Sequence, residues 1–168
     1  SERKLSSILN ALDEVVWAIS VPDYKLLLVS KSFEKVYGKT SRQWKSDFNI
    51  WKEPIIEEDK PIAQKIEEDI LSLGVAYGVY RIVDAHGNIK WLENAAKVVR
   101  NENDEPFMIM GIMTDITEKK IAEEALKSAQ EVAEEANRAR AELELRALQM
   151  QMNPHFVFNS MQTIQNLL

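Results

Sequence analysis

The sequence predicts an α+β domain with a five-stranded antiparallel sheet and flanking short helices, followed by a long α-helical coiled coil and the start of a helix bundle. Three observations carry this prediction. Residues 1 to 117 hold all five glycines, all four tryptophans and all four tyrosines, together with most of the turn signals. From Glu118 to Met150 there is no glycine, proline or aromatic residue, and eight glutamates stand among six lysines and arginines, which is the composition of a long helix. From Gln151 to Leu168 no charged residue occurs at all, so a different kind of helix begins there. The chain therefore divides into an N-terminal amphipathic helix (1–14), a globular domain (15–117), a coiled-coil helix (118–150) and a bundle-forming helix (151–168).

Each element has its own signal. Leu5, Ile8, Leu9 and Leu12 make the i, i+3, i+4, i+7 stripe of a short amphipathic helix. Val15–Val21 and Lys25–Ser30 are β-rich runs either side of the turn pair Pro22-Asp23, which predicts a hairpin. Ser32–Tyr37 reads as a short helix closed by Gly38. The stretch from Arg42 to Pro54 shows no regular pattern. Glu58–Leu73 is a helix with Pro61 in its first turn and Gly74 just past its end. Three strands complete the sheet, Ala76–Val83, Ile89–Arg100 and Phe107–Asp115, joined through the turn-forming clusters 84–88 and 101–106.

Composition removes several function classes. With 168 residues, 45% of them hydrophobic and 29% charged, the chain can bury a globular core. A net charge of −6 provides no basic field to attract nucleic acid or anionic lipid. The absence of cysteine excludes disulfides, thiolate metal sites and thiol nucleophiles, and agrees with a cytoplasmic setting. Only His86 and His155 occur, so no metal centre is expected. No apolar run approaches the roughly 18 residues of a membrane span, so no membrane contact is expected of this segment.

The run RIVDAHGNIKWLENAAKVV…GIMTDITEKKIAEEAL resembles the C-terminal half of a PAS domain, and the resemblance extends over about Val15 to Glu118. Its most specific part is Asp115-Ile116-Thr117, matching the family's D-I-T signature where the last strand hands over to a signalling helix. The Gly87–Trp91 hairpin and the acidic Glu57-Glu58-Asp59 are looser matches. Asp115 and Thr117 can cap the following helix, and Asp115 with Glu118 has capping-box spacing. The resemblance implies in addition that they form a polar relay between sheet and helix.

PAS domains hold a small molecule between sheet and helices, or hold nothing. Without cysteine, flavin–cysteine photochemistry of the LOV type is excluded, and His86, in a Gly-Asn turn, is placed as an exposed residue rather than a haem ligand. Trp17, Trp44, Trp51 and Trp91, with Tyr77, Tyr80 and Phe107, either line an apolar pocket for an unidentified ligand or simply make the core.

Along the long helix, Ala122, Ala125, Ala129, Val132, Ala136, Ala139 and Leu143 alternate in steps of three and four, the seam of a parallel coiled coil. Its alanines bury little surface, so the expected homodimer is easily biased between packings. After Leu143 the seam passes to Ala147 and Met150, a phase change that unwinds a coiled coil locally. A solvated helix is the plainer reading of the same charge run.

In the last segment Val157, Met161, Ile164 and Leu168 form an apolar seam, while His155, Asn159, Gln162 and Asn166 lie on the other side. The run Gln151-Met152-Asn153-Pro154-His155-Phe156-Val157-Phe158-Asn159 strongly resembles the H-box of LytS-type sensor histidine kinases, close to Q-x-N-P-H-F-x-F-N. That resemblance makes His155 the phosphoacceptor, and it places Asn159 where related kinases carry an Asn or Thr linked to dephosphorylation. Pro154 either kinks the helix or opens a new one with Asn153 as N-cap. In the second case His155 lies in a first helical turn, where the helix dipole disfavours its protonation. Phe156 stands where better-known kinases carry an acidic base, and no carboxylate occurs in residues 151–168.

The resemblance implies a sensor histidine kinase whose phosphoryl group passes to the aspartate of a response-regulator receiver domain. ATP and Mg belong to a catalytic domain whose glycine-rich boxes this sequence lacks, since no glycine follows Gly111. The chain is thus expected to be a kinase fragment that does not autophosphorylate alone. The alternative is a PAS ligand-binding and dimerisation module without phosphotransfer.

Overall fold

The computed structural model describes residues 1–168, the side chains of residues 153 and 156 excepted. Two compact units emerge, Ser1–Lys120 and Ile121–Leu168. The first opens with α1 (Glu2–Ala11), none of whose residues is buried; it carries Leu5, Ile8 and Leu9 of the predicted stripe but stops at Ala11, short of the expected residue 14, and leaves Leu12 extended at its C-terminal cap.

The sheet is antiparallel throughout. Strands β1 (Val15–Ser20), β2 (Leu26–Val29), β3 (Val75–Val83), β4 (Ile89–Arg100) and β5 (Pro106–Asp115) lie in the spatial order β2-β1-β5-β4-β3. The chain thus makes a hairpin at one edge, leaves the sheet for its helices, re-enters at the other edge and returns toward the centre. Because strand side chains alternate between faces, the registers define rows across the inner face. One row runs Trp17–Gly111–Ala96–Ala76, and the next runs Val15–Met113–Asn94–Gly78. Small residues opposite large ones leave the first row room for an indole.

Between β2 and β3 lie the covering helices α2 (Ser32–Tyr37), α3 (Ser41–Ser46) and α4 (Lys60–Leu73). Gly38 and Gly74 end α2 and α4 with φ of 67° and 73°, the left-handed conformation that glycine adopts without steric cost. The stretch 42–54, expected to be irregular, instead holds α3 and a 3₁₀ turn at Phe48–Trp51. Two local hydrogen-bond devices account for the difference. Thr40 and Gln43 form a reciprocal capping box, and Asp47 Oδ1 accepts from the backbone N–H of Asn49. Six residues are too few for hydrophobic periodicity to reveal such a helix.

Helix α4 begins two residues later than expected. Glu57–Asp59 forms a 3₁₀ turn, and the Asp59 side chain does not cap the helix, because it is committed to Arg81. The core between sheet and helices contains Val15, Trp17, Phe33, Trp44, Trp51, Tyr80, Leu92 and Met113.

The second unit belongs to α5 (Thr117–Leu167), a single helix of 51 residues that runs through Pro154. This overturns one expectation: no new helix opens at Pro154, so His155 is not in a first turn and no helix dipole end faces it. Asn153, the cap in that scheme, lies outside the described side chains. Pro154 has no N–H to offer the carbonyl of Met150. From Ile121 onward the described side chains are exposed apart from the half-buried Ser160.

Candidate functional site

Two places carry polar chemistry beyond packing, the globular unit and the exposed helix around His155. Within the globular unit, a cavity of about 310 Å³ opens between the inner sheet face and α4. Trp17, Trp44 and Trp51 wall it together with Ile66, Ile109 and Met113, while Glu67 and Asn94 are its polar members. The cavity exists because the row beneath Trp17 is small. A Cβ at Gly111 would overlap the Trp17 indole, so glycine lets the ring lie against the strand.

Asn94 is 2% exposed and anchors a buried polar chain. Its Nδ2 donates to the Tyr80 hydroxyl at 3.4 Å, the Tyr80 and Tyr37 hydroxyls lie 3.5 Å apart, and Tyr37 donates to Met113 Sδ at 3.3 Å. Burial pushes the Tyr80 hydroxyl up to about 12 and Tyr37 well above its ordinary value, so both remain neutral donors. Asn94 Oδ1 and the indole N–H groups of Trp17 and Trp44 are buried without a protein partner. Unpaired groups of this kind cost stability unless something else satisfies them. Composition singles out the tryptophans, whereas a lone asparagine in a strand, such as Asn94, has no sequence signal.

The aromatic residues separate into distinct groups. Trp17, Trp44, Trp51 and Tyr80 are buried, whereas Tyr77 and Phe107 are exposed, Tyr77 donating to Glu93 at 2.8 Å. Trp91 is half-buried, with the Arg81 guanidinium 5.3 Å and the Lys120 ammonium 5.4 Å from its ring centre. His86 is exposed in its turn, as expected.

The junction of β5 and α5 is knitted by Asp115 and Thr117. Asp115 Oδ1 accepts from the backbone N–H of Thr117 at 3.0 Å and from its hydroxyl at 2.5 Å. Thr117 Oγ1 in turn accepts from the backbone N–H of Trp91 at 2.9 Å. The capping box expected from Asp115 and Glu118 is out of register by one residue. Ile116 N–H donates to Trp91 O, extending the sheet ladder, and Ile116 O accepts the first helical bond from Lys120, so Ile116 is the cap position. Arg81 closes the same region, its Nε and Nη2 reaching the two oxygens of Asp59 at 2.8 and 2.7 Å. Those bonds, with a third from the Arg81 backbone N–H, hold the Asp59 carboxyl below the usual carboxylate range.

On α5, His155 and Asn159 are both exposed, and Asn159 Nδ2 lies 3.0 Å from His155 Nδ1. Sequence spacing predicts a shared helix face for these residues, and the geometry adds a direct side-chain contact. Among the described residues no cluster of His, Asp and Glu is suited to a metal ion. Nor is any helix of the described residues long and apolar enough to cross a membrane.

Comparison with known proteins places both parts. The PAS fold family pattern matches residues 26–113, and the histidine kinase family pattern matches residues 143–168, which include His155 and Asn159. A curated relative, the blue-light-activated histidine kinase of Brucella ovis, is 32% identical over 95 residues. That alignment covers 56% of this chain and 18% of the relative, so the chain spans under a fifth of that protein. Among solved structures, an RNA-binding Light-Oxygen-Voltage receptor aligns with a TM-score of 0.62 at 18% identity, covering 76% of this chain and 36% of that one. A sensory box histidine kinase/response regulator from Burkholderia thailandensis aligns with a TM-score of 0.55 at 18% identity, covering 78% and 96%. At such identities the structural likeness speaks for the fold. The five-stranded sheet, its helical cover and the matched pattern over more than half of the sequence together show that the chain belongs to the PAS fold family.

Proposed function

We propose that this chain is the sensory and phosphoacceptor region of a sensor histidine kinase: the PAS unit receives a signal, α5 transmits it in a homodimer, and His155 takes the γ-phosphate of ATP. The observation that carries the reading is His155 itself. It is an exposed imidazole on a continuous helix, inside the segment that matches the histidine kinase family. A phosphoryl acceptor must present an unprotonated ring nitrogen in line with the γ-phosphorus, and exposure permits that approach. No carboxylate occurs in residues 151–168, so a base comes from another helix, another domain or water. ATP and Mg are supplied by a catalytic domain, and the phosphoryl group then passes to a receiver-domain aspartate.

The signal is read in the apolar cavity beside Asn94. Its lining suits an uncharged, ring-containing molecule held without a covalent thiol link, since the chain has no cysteine. A ligand donor facing Asn94 Oδ1 removes the cost of that unpaired acceptor. Asp115 and Thr117 pass strain in the sheet to α5 through the Trp91 backbone. The Asn94 acceptor gives the alternative, a ligand-binding and dimerising module, a footing of its own, because that module needs the cavity and the helix but not His155.

The deciding experiment labels the parent kinase with γ-labelled ATP, beside its His155→Gln variant. Acid-labile, alkali-stable label that disappears in the variant is the expected result. Label unchanged by the substitution, or no label, overturns the phosphotransfer reading and leaves the ligand-binding module.

A further inference from the structure

We propose that the ring of Trp91 couples the cavity wall to the output helix: Arg81 joins it to the start of α4, Lys120 joins it to the first turn of α5, and the Asp59 carboxylate lets the two cations share it. The coupling rests on the sensory reading of the cavity for its use, and it adds a side-chain route to the backbone one through Asp115 and Thr117.

Trp91 holds the junction at three points. Its N–H donates to Thr117 Oγ1 and its carbonyl accepts from the Ile116 N–H, both at 2.9 Å, while its ring centre lies 5.4 Å from the Lys120 ammonium. The backbone bonds fix where α5 begins, and the ring contact reaches on into its first turn. Both Trp91 and Lys120 are half-buried there.

Arg81 stands directly opposite Trp91 in the β3–β4 ladder, and both side chains leave the sheet on the face away from Tyr80 and Leu92. Because β3 is an edge strand, residues 54–59 run along its free side. Ile56 N–H donates to Arg81 O, and Arg81 N–H donates to Asp59 Oδ2. The guanidinium thus has two neighbours: Nε and Nη2 grip the Asp59 carboxylate, and its centre lies 5.3 Å from the Trp91 ring. Asp59 immediately precedes α4, whose Ile66, Glu67, Ile70 and Leu71 line the cavity.

A cation within about 6 Å of an indole centre is attracted by the negative face of the ring, and Arg81 and Lys120 both meet that condition. Two like charges at one ring also repel each other. With Asp59 offsetting the charge on Arg81, Lys120 keeps its place; when Asp59 draws away, the uncompensated guanidinium pushes Lys120 off the ring. A ligand that shifts α4 therefore loosens the first turn of α5, since the planar fork of Arg81 follows the carboxylate it grips.

The test is a thermodynamic cycle on the 168-residue chain, read by hydrogen exchange of the Lys120 and Ile121 amides. Asp59→Asn is expected to lower their protection roughly 2- to 5-fold more in the wild-type background than in Lys120→Met, the weight of one such contact. Whatever Asp59→Asn does to the domain as a whole is common to both backgrounds and cancels. Trp91→Leu and Trp91→Met, which lack a ring, are expected to abolish the difference, and whichever keeps wild-type circular dichroism is read. An equal fall in wild type and Lys120→Met overturns the proposal, and that comparison needs no substitution of Trp91. A difference that survives loss of the ring also overturns it, because charge then acts directly. Exchange is read without ATP, so the outcome is separate from the labelling test: a parent that takes no label removes phosphotransfer and leaves the coupling, whereas label lost in His155→Gln with equal falls removes only the coupling.

Discussion

Asp59 shows at residue scale how a short acidic run acquires a role. Its carboxylate receives three hydrogen bonds from Arg81, two from the guanidinium and one from the backbone, while only 7% of the residue is exposed. Its folded pKa is depressed, so the stability it contributes is complete above the unfolded carboxylate value of about 4 and is lost as the pH falls through the folded value. Asp59→Asn is expected to destabilise the PAS unit by about 1–3 kcal/mol at pH 7 and to flatten the fall in stability below pH about 4. Urea denaturation across that pH range measures both effects, and an unchanged acid limb refutes the assignment. From sequence, Asp59 is one of three consecutive acids, and nothing local separates it from Glu57 and Glu58. Its partner stands 22 positions away on β3, and only the folded chain brings them together. Asn94 is invisible for the same reason, since its polar chain joins residues 14 to 76 positions apart.

At the scale of the element, most of the architecture follows local rules. Glycine ends α2 and α4 where their patterns stop, and every strand lies within about one residue of its alternating run. The exceptions are short or depend on neighbours. Helix α3 is set by a four-residue capping box, and α5 starts one residue later than its acidic cap suggests because Ile116 still pairs with Trp91. That pairing makes Thr117 a bridge between two elements. Thr117→Val removes the acceptor of the Trp91 N–H and is expected to cost about 1 kcal/mol, lowering hydrogen-exchange protection of the Trp91 amide roughly fivefold while the amides of β1 keep theirs. Equal loss across the whole sheet would instead mark a general destabilisation and remove the junction role.

For the whole molecule, the seam of α5 predicts association of two chains. The alanine-rich seam of α5 includes Val132, 70% exposed in the single chain, a position that a coiled-coil partner would cover. Native mass spectrometry of the purified chain is expected to give a dimer. Val132→Glu is expected to weaken it at least tenfold, about 1.4 kcal/mol, because a carboxylate enters an apolar seam. A monomer at micromolar concentration in the wild type refutes the seam, and the same spectra reveal any molecule retained in the cavity.

The strands, the main helices, the Asp115–Thr117 junction and the segment around His155 that matches the histidine kinase family are legible in the sequence, because each depends on periodicity, turn chemistry or a contiguous motif. Only the folded domain brings together the cavity beneath Trp17, the buried chain from Asn94 to Met113 and the Asp59–Arg81 pair. Those features arise from strand register and from the packing of the helices on the sheet. Both are settled by the energy of the assembled chain, and no single segment carries them.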